Sequence, residues 1–150
     1  MKSMVNVTTI FGLLLAPYLV AYLFHFNNST MAGRMGVCAV FLFTAIGHFF
    51  KTDSMIPMLP PFVPGRRALI YLSGIIEVMF AAAVVALPNP SYVGWTIVLY
   101  LILIFPSNVY AAVQRISFGG HSMGPPYLLA RFPLQLLLIL WTYWFCVRVY

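Results

Sequence analysis

Apolar residues along the chain gather into five long runs, at about 10–26, 33–50, 68–87, 92–113 and 128–147. Each comes close to the roughly 20 residues that a helix needs to cross the hydrocarbon core of a bilayer. A stretch such as 134–140, apolar but for Gln135, lacks the in-out alternation of a membrane β-strand. The pattern therefore predicts an all-α, polytopic transmembrane helix bundle in one domain over 1–150. The first run follows Lys2 as a secretion signal would. It is too long for the apolar part of such a signal, contains Pro17, and leads into Asn27, Asn28, Ser29 and Thr30 with no small-residue cleavage site. It reads as a retained N-terminal helix.

The connections differ in kind. Residues 88–91 form a tight turn, whereas 51–67 are apolar and interrupted by Pro57, Pro60, Pro61 and Pro64. That segment is too hydrophobic for a solvated loop and too rich in proline for an unbroken helix. It is expected in the interface or re-entering the bundle, where protein can satisfy irregular backbone. The stretch 115–126, with Gly119, Gly120 and Gly124, reads as a flexible loop.

Composition removes most alternatives. Of 150 residues 63% are hydrophobic and 7% charged, against roughly 25% charged in a soluble domain. A net charge of +6, from eight cations and two acids, is too scattered to form a nucleic-acid stripe, so no nucleic-acid partner is expected. The cations serve better as topology signals. Lys2, Lys51, Arg66, Arg67, Arg115 and Arg131 fall on one side of a five-span path, and Arg34 and Arg148 on the other. Because Lys and Arg favour the cytoplasm, this predicts a bacterial inner-membrane protein with its N-terminus inside and its C-terminus outside. Tyr18, Tyr22, Tyr92, Trp95, Trp141, Tyr143, Trp144 and Tyr150 lie near run ends, as interfacial aromatics do.

Glu77 is the most informative residue, a carboxyl near the centre of the third run. An ionised side chain at that depth costs about 2.5 to 3.5 kcal/mol, so it must be protonated, paired or hydrated. Other polar residues share helical faces: Thr44, His48 and Lys51; Ser73 and Glu77; Arg131, Gln135, Leu138 and Thr142. Folded together, Glu77, His48, Asn108, Arg131, Gln135 and Lys51 predict a polar pocket opening to the inner side, with the proline-rich segment as its lid. Taken singly, each is as well explained by interhelical hydrogen bonding at about 0.6 kcal/mol. Taken alone, His48 reads as an interfacial end group. His25 and His121 read as surface groups. Cys38 and Cys146 sit near the outer ends of their runs and are candidate redox thiols, although small packing residues describe them as well. No histidine spacing indicates a metal site, and no phosphate loop or nucleophile elbow is present.

The blocks FTAIGHFFK (43–51), MLPPFVPGRR (58–67), ALIYLSGIIE (68–77), FPSNVYAA (105–112) and RFPLQLLL (131–138) give the chain a resemblance to the DoxX-like family of small integral membrane proteins. The resemblance covers about 35–144 and implies a four-helix core to which the first helix is an addition. It also implies association with redox chemistry, since the family takes its name from a subunit linked to thiosulfate and quinone oxidoreduction. A distant animal relative acts as a receptor-assembly chaperone. The resemblance carries no catalytic residues.

The leading reading is an accessory protein or subunit of a membrane redox or respiratory system. It would have no independent catalytic activity, no firmly implied cofactor, and a pocket that admits a quinone or another lipid. Its partners would be the bilayer and a membrane protein complex. The alternative is an assembly factor presenting a packing face of Gly74, Ala81, Ala82 and Ala83 to client helices. A proton-coupled transporter fits less well, for the five runs show no inverted repeat.

Overall fold

The computed structural model describes residues 5–23 and 28–148, with backbone alone at 5 and 6. Lys2, His25, Asn27, Tyr150 and the end of the first apolar run lie outside the described residues. The elements in chain order are α1 (Val5–Leu23), α2 (Ser29–Phe50), the short α3 (Thr52–Met55), α4 (Arg66–Ala86), α5 (Ser91–Val113) and α6 (Leu128–Thr142). A π-helical turn, Tyr143–Val147, prolongs α6. No strand occurs among the described residues. Four helical stretches are long and apolar enough to cross a membrane, namely Ser29–Phe50, Arg66–Ala86, Ser91–Val113 and Pro125–Val147. The first helix is apolar but shorter, over Val7–Leu23.

The ends of these helices follow local chemistry. α2 starts four residues ahead of the apolar run because the Asn28 side chain accepts from the Met31 N–H at 2.9 Å, capping a free donor. Gly65, at φ 62°, takes the left-handed turn that launches α4. At the other end of α2, Thr52 Oγ1 donates to the His48 carbonyl at 2.5 Å, and α3 begins at once.

The long helices run up and down. The start of α2 meets the ends of α4 and α6, since Arg34 donates to the Leu87, Pro88 and Phe145 carbonyls. At the opposite end α2 and α5 finish and α4 and α6 begin. Close approach is written into glycines: a Cβ on Gly36 would collide with the Leu14 carbonyl of α1, and a Cβ on Gly74 would lie 2.9 Å from His48 Cβ.

Along α4 the buried residues are Ile70, Gly74, Glu77, Ala81 and Val84, spaced alternately by four and three. This is the seam of a helix packed in a near-parallel bundle. Leu69, Leu72, Ile75 and Met79 on its other faces are exposed. The molecule is apolar outside, while Arg34, Glu77, Asn108, Gln135 and Thr142 are buried within. Water would penalise that outer surface, whereas hydrocarbon accepts it. Of the described cations, Lys51, Arg66, Arg67, Arg115 and Arg131 fall at the end where α4 and α6 begin, and Arg34 and Arg148 at the other.

Candidate functional site

Between α2, α4, α5 and α6 lies a cavity of about 760 Å³, within the range of small-molecule sites. It brings together all six residues singled out from the sequence: His48 and Lys51 from the end of α2, Glu77 from α4, Asn108 from α5, and Arg131 and Gln135 from α6. Lys51 is exposed at its rim. The proline-rich segment contributes Met55, Met58 and Leu59, with Met58 buried, so this segment folds against the end of the bundle. Asp53 of α3 pairs with Arg67 at 2.5 Å on the outside of the same segment.

Glu77, only 3% exposed, is held by two neighbours. Tyr100 donates its hydroxyl to Oε1 at 2.9 Å, and His48 Nε2 lies 3.5 Å from the same oxygen. The protonation of the imidazole follows from its other nitrogen. Nδ1 is 3.1 Å from the Ile70 carbonyl, which can only accept. Nδ1 therefore carries hydrogen, and Ser73, whose hydroxyl also donates to Ile70 O, sits 3.1 Å from it. With that nitrogen committed, Nε2 faces the Glu77 carboxyl from one side while the Tyr100 hydroxyl binds it from another. Gly74 makes the pairing geometrically available because it lets α2 and α4 come together at His48.

α5 runs as one helix through Pro106 and offers backbone carbonyls as acceptors. Beside the proline, Asn108 Nδ2 and Ser107 Oγ both donate to the Ile104 carbonyl, at 3.2 and 2.7 Å. Gln135 reaches across from α6 and donates Nε2 to the Leu101 carbonyl at 2.6 Å. The opposite amide orientation would set oxygen against oxygen there, so Oε1 is the free acceptor of Gln135.

His121 corrects the sequence reading. It is 4% exposed, not a surface group, and it lines the cavity. The loop turns inward through Gly119, Gly120 and Gly124, all at positive φ, as is Arg115. The ring packs edge-on against Tyr127 at 4.9 Å, and Nδ1 donates to the Phe118 carbonyl at 2.6 Å. Burial lowers its pKa and the Arg131 charge lowers it further, outweighing the bond to Phe118. The imidazole is thus neutral near pH 7 with Nε2 as an acceptor. Nothing in its glycine-rich surroundings gave a periodic signal. Tyr100 was missed for a different reason: it stands inside the apolar stretch 97–105, with no polar neighbour to mark its face.

Four wall residues keep a buried polar atom without a partner: Glu77 Oε2, His121 Nε2, Arg131 Nε and Gln135 Oε1. The cysteines stand apart from this cluster. Cys38 is half-buried and Cys146 buried, both as free thiols, and neither lines the cavity. Among the described residues no three His, Cys, Asp or Glu converge on a metal position.

These features define an α-helical bundle with membrane-length apolar helices and a polar-lined interior cavity. Residues 37–146 match the family described as Domain of unknown function (DUF8561), and the chain belongs to that family. The match takes in α4, α5, α6 and most of α2, and with them every residue named at the cavity. No curated protein and no solved structure matches the chain.

Proposed function

We propose that the protein is an integral membrane binder of a lipid-like molecule with a polar ring head, a quinone being the leading chemistry, and that it serves a membrane redox system as an accessory subunit. One observation carries this: four residues in the wall of a single, mainly apolar cavity each keep a buried polar atom without a partner. An unpaired buried polar group costs about 1 to 3 kcal/mol, and a ligand that partners several of them recovers much of that. The cavity wall also includes Ile46, Phe50 and Leu103, which are 56%, 80% and 67% exposed. A molecule dissolved in the bilayer would thus meet a path along apolar side chains. The DoxX-like resemblance of 35–144 supports the redox setting, and the cluster of cations beside the cavity supports placing that end in the bacterial cytoplasm. The first helix would then be a fifth, short span.

The assembly reading has less behind it. Gly74 and Ala81 of its packing face are buried inside the chain, which leaves Ala82 as the exposed member. The test is gentle detergent purification followed by mass spectrometry of bound lipids and quinones, on the wild type and on Glu77→Gln. The amide keeps the shape of Glu77 and removes its proton chemistry. The proposal expects a co-purifying quinone-type lipid whose occupancy falls about tenfold in Glu77→Gln at unchanged yield. Equal occupancy in both proteins, or none in either, overturns it.

A further inference from the structure

The unpartnered atoms are not evenly divided between donors and acceptors. Gln135 Oε1 accepts because its amide nitrogen is bound to Leu101 O, and His121 Nε2 accepts because Nδ1–H is bound to Phe118 O. Glu77 Oε2 accepts whenever it carries no proton, while Arg131 Nε is the one fixed donor of the set. We propose that the head group this cavity takes is a hydroxyl donor: of a hydroquinone and its quinone, the pocket selects the hydroquinone. The inference rests on the reading that the cavity binds a ring-headed lipid.

A quinone head presents two carbonyl oxygens and no hydrogen to donate. It can meet Arg131 Nε but leaves the Gln135 and His121 acceptors unpaired. A hydroquinone brings two O–H groups for those acceptors, and its oxygens still accept from Arg131. The four atoms are covered by protein in this structure, so these contacts require their side chains to turn toward the cavity that their residues line. No electrons move in this step; it is a difference in binding alone. Sites that hydrogen-bond a ligand hydroxyl discriminate strongly against the analogue lacking it, because their own groups are otherwise stranded.

Equilibrium dialysis of the detergent-purified full chain under argon, with decylubiquinol, decylubiquinone and dioleoylglycerol as probes, tests this. Decylubiquinol should bind at least about tenfold tighter than decylubiquinone. His121→Phe and Gln135→Leu should each narrow that ratio, mainly by weakening the quinol, and the wild-type ratio decides should either variant fail to fold. Equal affinities, or a preference for the quinone, overturn the hydroxyl-donor inference and leave the ring-headed binder standing. Dioleoylglycerol competing as well as the quinol removes the ring from the assignment. Binding of none of the three removes the proposed function as well.

Discussion

The two ends of the bundle treat buried polar groups in different ways. At the end where α2 begins, Arg34 is buried and its guanidinium donates to the Phe145, Leu87 and Pro88 carbonyls at 3.3 to 3.5 Å. Two of these follow the C-terminus of α4, where the helix dipole also favours a cation. Trp141 Nε1 donates to the Gly33 carbonyl nearby at 3.0 Å. Toward the other end, Glu77, His121, Arg131 and Gln135, which line the cavity, each keep a buried polar atom unpaired. Thr142 alone breaks the contrast, with an unpaired hydroxyl away from the cavity. Polar residues at the first end hold helices together; those at the second do so too, as Gln135 does with Leu101, but keep unpaired atoms besides.

Arg34→Leu should break the closed end. Three carbonyls would lose a charged donor, a loss of about 3 kcal/mol or more, lowering the thermal midpoint in detergent by on the order of 10 °C. A midpoint within 2 °C of wild type, on that same scale, would show that the clamp holds nothing. Gly74→Leu sharpens the comparison because it acts on both fold and site. Overpacking against His48 and Phe49 should cost roughly 1 to 3 kcal/mol, and quinol binding should vanish with it. A stable variant that still binds would dissociate the α2–α4 approach from the cavity.

Acid should weaken the open end selectively. His121 has a lowered pKa through burial and the nearby Arg131 charge, so the unfolded chain binds its proton more readily than the folded one. Its contribution is complete above the unfolded value of about 6.5 and is lost as pH falls below that. Thermal midpoints measured between pH 7.5 and 5 should decline, and His121→Phe should flatten the curve relative to wild type. The smallest effect belongs to Asp53→Asn. The Asp53–Arg67 pair is 80% and 59% exposed at its side chains, so its loss should change stability by no more than about 0.5 kcal/mol in a denaturation series.

How far the sequence could be read depended on the kind of signal. Apolar runs located the long helices because membrane length imposes a strong pattern, and the i, i+3, i+4 stripes placed Glu77, Gln135 and His48 on inward faces. The ends moved where single side chains decide them, as at Asn28, or where backbone geometry does, as in the π-turn at Tyr143–Val147. Arg34 looked like a topology cation, and only three-dimensional proximity to three carbonyls reveals a clamp. His121 enters the cavity through a loop whose course is set by glycine backbone angles rather than by any repeat.

A proton passed between His48 and Glu77 would feel little of a membrane potential. Its donor and acceptor atoms are 3.5 Å apart, so a transfer between them carries unit charge over at most about a tenth of a 30 Å hydrocarbon layer. A potential of 100 mV does about 2.3 kcal/mol of work on a charge crossing the whole layer, hence about 0.3 kcal/mol on this one. Energisation of the membrane would scarcely tilt such an exchange.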